Sequence, residues 1–77
     1  MKPKTFKIFD VRPYLAAGNE PFPLIRERVD ALEAGQGLTV VAPFLPAPLV
    51  ELLQSEGYST SMERRADGAW AVNFWKD

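Results

Sequence analysis

No cysteine and no histidine occur in this 77-residue chain. The first absence excludes disulfides and thiolate metal sites. The two together remove most of the chemistry that a small site could perform, and neither a metal nor a cofactor is expected. Charge of one sign is also missing: 9 basic and 10 acidic residues give a formal net charge of −1. A general nucleic-acid binder needs an excess of Lys and Arg to neutralise phosphates, so this balance argues against one. No apolar run approaches the ~20 residues of a membrane span. The opening Met1-Lys2-Pro3-Lys4 leads into a short alternating segment and does not read as a secretory leader. A cytoplasmic protein without a membrane partner is the expectation.

What the chain does have is 47% hydrophobic residues, including five Phe and two Trp. That is too apolar for disorder and enough for one core. Its length predicts a single domain over 1–77, one that buries only about 60% of the surface its unfolded chain exposes.

Thr5 to Val11 reads as a strand, rich in β-branched and aromatic residues and bounded by Pro3 and Pro13. Phe6 and Ile8 fall on one of its faces, Phe9 and Val11 on the other, and the first pair is taken to face the core. Arg12 to Asn19 reads as a loop, punctuated by Pro13 and Gly18-Asn19. A helix is predicted from Pro21 to Ala34, with Phe22, Ile25, Val29 and Leu32 as its apolar stripe. Gly35 is placed to end it. Leu38 to Ala42 is nearly continuous in apolar residues, the mark of a strand buried inside a sheet. A second helix is predicted from Ala47 to Glu56, with Leu49, Leu52 and Leu53 inward, Gly57 as its cap and Tyr58 packing back on its last turn. Ser59 to Arg65 and Ala69 to Lys76 form a hairpin about Ala66-Asp67-Gly68. Trp70, Val72 and Phe74 point inward; Ala71, Asn73 and Trp75 point the other way.

The order β-α-β-α-β-β makes the first two strands parallel. A chain this short cannot build a third layer, so both helices share one face. The expected fold is an α/β two-layer sandwich: a four-stranded mixed sheet with two helices on one side and the other side open.

The two prolines at the first helix start draw most attention. N–H groups of a first turn have no intrahelical acceptor, so proline forfeits little there. Pro21 and Pro23 stiffen the turn and hold Glu20 at its mouth, where the helix dipole favours a carboxylate. Pro46-Ala47-Pro48-Leu49 repeats the device at the second helix.

The layout Phe9-Asp10-Val11-Arg12, a short loop, then Glu20-Pro21-Phe22-Pro23 resembles the TusA/SirA-like superfamily, whose small β-α-β-α-β-β members open their first helix with Cys-Pro-x-Pro. Together with Ala42-Pro43-Phe44 and Pro46-Ala47-Pro48-Leu49, it is similar to a cysteine-free, uncharacterised branch of that superfamily, a domain of unknown function. The resemblance implies a sulfur-carrier scaffold in which Glu20 stands where the persulfide cysteine would be. A carboxylate forms no persulfide, so sulfur transfer by that route is excluded, and what the likeness leaves is a docking surface.

The candidate partner- or ligand-binding residues are therefore Asp10, Arg12, Glu20, Pro21, Phe22 and Pro23. Each has a plainer structural role available: helix-starting prolines, a carboxylate favoured by the dipole, an aspartate bonding the next turn, an exposed Asp10–Arg12 pair. The leading expectation is a protein-interaction or regulatory module and not an enzyme. The alternative is a small-ligand-binding domain or minor enzyme that uses Asp10, Arg12 and Glu20 at the helix N-termini, both of which lie near the carboxyl ends of the parallel strands. Trp75 and Phe9 are candidate interface residues on the open sheet face, through which a homodimer could form.

Overall fold

The computed structural model describes residues 2–76. The elements run β1 (Thr5–Asp10), α1 (Arg12–Ala16), α2 (Phe22–Asp30), β2 (Gln36–Ala42), α3 (Ala47–Ser55), β3 (Ser59–Arg64) and β4 (Trp70–Trp75). The four strands form one mixed sheet in the order β1-β2-β4-β3. β1 and β2 are parallel, and the β4 pairings are antiparallel. The most apolar segment, β2, lies inside the sheet between β1 and β4, with Leu38, Val40, Val41 and Ala42 buried.

The expected sandwich is what forms. Ile25 and Val29 of α2 share one buried cluster with Leu49, Val50 and Leu53 of α3, and with Leu38, Val40, Val72 and Phe74 of the central strands. The expected loop at Arg12–Asn19 instead contains the five-residue helix α1. Five residues are too few for a 3.6-residue period to be seen. The helix is held by Tyr14 and Leu15, which pack against the core.

Several boundaries and faces differ from expectation. On β1 the faces are reversed: Phe9 (5% exposed) joins the core and Ile8 (70% exposed) faces solvent. Both pairs are equally apolar, so alternation alone could not choose between them. The tertiary contacts chose. Phe9 lies beside Val40 in the register, meets Tyr14 edge-on at 5.5 Å and has the Arg28 guanidinium over its ring at 4.1 Å. Phe6 turns to the other face, where its ring lies over Gly37, its register partner. A glycine inside a strand leaves room for such an approach. There Phe6 meets Trp75 edge-to-face at 6.0 Å, and Trp75 is half-buried.

Helix α2 starts at Phe22 and stops at Asp30, short of the expected Ala34. After it, the Glu33 N–H donates to the Gln36 side-chain carbonyl (3.1 Å) and the Gln36 N–H donates to the Glu33 carbonyl (3.0 Å). This reciprocal turn competes with another helical turn. Gly35 lies within it and not at the helix end. Helix α3 buries Leu49, Val50 and Leu53 and leaves Leu52 exposed, so Val50 takes the inward place expected for Leu52. Its end is a Schellman motif: Gly57 at φ +94°, its N–H bonding to Gln54 O (3.0 Å), and the Tyr58 N–H to Leu53 O (3.0 Å).

Candidate functional site

Because β1 and β2 are parallel, the helices that follow them both begin at the same end of the sheet. A groove of about 430 Å³ opens between those two helix starts. Val11, Val40 and Ala42 form its floor. Leu15 of α1, with Pro21, Phe22 and Ile25, makes one wall; Phe44, Pro46, Pro48, Leu49 and Leu52 make the other. Glu20 is the only lining residue with an ionisable side chain. Large apolar groups stand exposed at the rim: Phe22 (37%), Leu52 (39%) and Phe44 (54%).

Helix starts ordinarily present unpaired N–H groups and attract anions. Here the first two positions of each are blocked, which leaves the third-position N–H groups of Leu24 and Leu49. In α2 the first-position N–H, that of Phe22, donates to Glu20 Oε1 (3.1 Å), and the second position is Pro23, which has none. In α3 the first-position N–H, that of Ala47, donates to Leu45 O (2.9 Å), and the second position is Pro48. The repeated Pro-x-Pro-Leu device thus makes two adjacent helix starts poor in donors.

The sequence candidates separate into two groups. Glu20, Pro21 and Phe22 line the groove; Pro23 is exposed outside it. Asp10 and Arg12 lie elsewhere, in a clamp with Asp67. The Arg12 Nε–H donates to Asp10 Oδ1 (3.0 Å) and an Nη2–H donates to Oδ2 (2.7 Å). The Arg12 backbone N–H adds a bond to Oδ1 (3.0 Å), and an Nη1–H reaches Asp67 Oδ2 (3.0 Å) in the β3–β4 turn. Arg12 therefore ties the end of β1 to the hairpin on the far side of β2. The Arg12 side-chain bonds hold the Asp10 carboxyl below its ordinary value. Asp67 is lowered first by the Ala69 N–H and then by Arg12. The Arg12 guanidinium is raised still further, by Asp10 and then Asp67.

Of the interface candidates, Trp75 lies on the open face as expected and Phe9 does not, since Phe9 is core. Along that face Asn73 accepts from the Thr39 hydroxyl (2.6 Å) and donates to Ser61 Oγ (3.1 Å), a satisfied polar ladder across three strands. A smaller cavity of about 250 Å³ lies among Leu32, Gln36, Tyr58 and Lys76. Among the described residues no group of three or more acidic side chains is gathered as a metal site, and no helix is long and apolar enough to cross a membrane.

The sequence reading missed Asp67 as the second anchor of Arg12, and it missed the α3 wall of the groove. The echo of Pro21-Phe22-Pro23-Leu24 in Pro46-Ala47-Pro48-Leu49 was a signal for the latter, since parallel strands bring the two copies side by side.

Residues 8–76 match the family model described as "Uncharacterized conserved protein (DUF2249)". Neither the curated proteins nor the solved structures give a match.

Proposed function

The chain belongs to the DUF2249 family, and we propose that it works as a protein-interaction module that docks an apolar segment of a partner protein in the groove between the α2 and α3 starts. The observation that carries this reading is the apolar lining, continued onto an exposed apolar rim at Phe22, Phe44 and Leu52. Contiguous exposed apolar surface on a small domain marks interaction sites.

The volume also lies within the range of small-molecule pockets. Such pockets fix their ligands with several convergent polar groups. This groove offers Glu20 alone, and one oxygen of Glu20 is already engaged by Phe22. Asp10 and Arg12 are spent on their clamp and do not line it. A macromolecular partner that contributes several apolar anchors is therefore favoured over a small ligand or a reaction.

We read the scaffold as TusA-like without its carrier thiol. The element order and the prolines at the start of α2 support that reading. Glu20 then fills the carrier position, and its carboxylate leaves docking as the retained role.

The test is selection of displayed random peptides against the folded protein, followed by amide chemical-shift mapping. Selected peptides are expected to be rich in apolar anchors, to shift Phe22, Ile25, Leu49 and Leu52, and to lose affinity for Phe22→Ser and Leu52→Ser. No selectable peptide, or shifts confined to the open sheet face, would refute the reading.

A further inference from the structure

We infer that the segment docked in this groove carries a lysine or arginine beside its apolar anchors, with Glu20 as the counter-charge. This rests on the docking reading above and adds the partner's chemistry. The groove's only ionisable lining residue is anionic, and no Lys or Arg lines it. The nearby cations are committed elsewhere. Arg26, one turn along α2, is held by Asp30 (2.9 Å) and Glu56 (2.7 Å), and Arg12 is held by Asp10 and Asp67. Among the described residues Glu20 has no ion-pair partner.

The helix starts sharpen the selection. Unblunted, two converging N-termini would draw anionic groups and offset Glu20. With the first-position N–H groups spent and proline at each second position, that pull is reduced to the third-position N–H groups of Leu24 and Leu49. What remains at the mouth is an apolar slot with one fixed negative charge. An acidic segment is repelled there, a neutral one binds by burial alone, and a cationic one gains an ion pair. The Phe22 N–H bond and the buried Pro21 hold the Glu20 backbone and carboxylate in place, so less ordering cost falls on binding.

The experiment selects random displayed peptides of about twelve residues, a length that spans a short amphipathic segment, against the wild type and against Glu20→Lys. Cation enrichment next to the apolar anchors is expected with the wild type, and acidic enrichment with Glu20→Lys. The best wild-type sequence is then synthesised with Lys, Gln or Glu at the enriched position, and its affinity is measured by fluorescence anisotropy at low and high salt. The Lys peptide is expected to bind about two- to five-fold tighter than the Gln peptide, as for a partly exposed pair, with the gap closing at high salt. With Glu20→Gln the preference disappears. Selection of apolar peptides with no charge preference, or a preference that Glu20→Lys leaves unchanged, overturns the inference and leaves the docking groove standing. Failure to select any groove-binding peptide overturns both. Thermal melts of each variant show that the comparison is made between folded proteins.

Discussion

Gly37→Ala should destabilise this protein even though alanine is the better residue for a strand, and the reason is the ring of Phe6. On entropy alone, replacing a mid-strand glycine by alanine gains about 0.5–1 kcal/mol. A methyl group at position 37, however, would overlap the Cδ2 and Cε2 atoms of Phe6. The ring must swing away. Phe6 is partly buried, so it forfeits a large part of the ~1.5–3 kcal/mol that full burial of such a side chain contributes. It also loses its edge-to-face contact with Trp75 at 6.0 Å, a further ~0.5–1.5 kcal/mol. The balance is a net loss of about 1 kcal/mol, or a Tm lower by roughly 4–8 °C in a domain of this size. In a Phe6→Ala background the obstacle is gone, and Gly37→Ala should raise stability by about 0.5–1 kcal/mol. Urea and thermal unfolding of the four proteins of this double-mutant cycle give the coupling directly. A Gly37→Ala variant of the wild type that melts higher would show that Phe6 does not hold its place over the glycine.

Other expectations concern the clamp, the groove and the open face. Asp10 and Asp67 have folded values below the ordinary 3.8, so below that pH the unfolded state binds more protons. Their contribution is thus present above pH 3.8 and is lost as pH falls towards the lower folded values; Arg12→Met should flatten this part of an acid-unfolding curve, and an unchanged curve would contradict the clamp. Leu53→Ala, at a site 1% exposed, should cost about 2–4 kcal/mol, whereas Leu52→Ser one residue away, at a site 39% exposed, should cost less, about 1 kcal/mol, while weakening peptide binding. Asn73→Ala removes both bonds of the polar ladder and should cost about 1 kcal/mol in denaturant unfolding, because Thr39 and Ser61 are half-exposed and can turn to water.

How far the site was legible varies by residue. Glu20, Pro21 and Phe22 were found because proline at a helix start and a carboxylate before it are local signals, set by neighbouring residues. Phe44 and Leu52 were not. Nothing in their immediate surroundings distinguishes a rim residue from a loop or core residue. Leu52 fitted the helical stripe as well as Val50 did, and only the way α3 lies on the sheet decided between them. Asp67 was seen as a turn residue, which it is, since its Oδ1 accepts the Ala69 N–H (3.0 Å). Its second role, with Arg12 across 55 positions of sequence, has no local mark.

By itself, then, the sequence determined the order of the four strands and the two longer helices, the central place of the segment around Leu38–Ala42, the Schellman end of α3 and the proline-built helix starts. Periodicity, turn chemistry and backbone constraints act within a few residues and can be read there. It also determined what chemistry is missing, since no fold supplies a thiol or an imidazole that the chain lacks. Tertiary structure alone decided which face of β1 enters the core, because Phe6–Ile8 and Phe9–Val11 are equally apolar and only the fit of Phe9 under Tyr14 and Arg28, and of Phe6 over Gly37, distinguishes them. It alone set Asp10 and Arg12 apart from Glu20, because that depends on Asp67 lying across the sheet within reach of Arg12, and it alone gave the groove between the two helix starts its lining and its exposed rim.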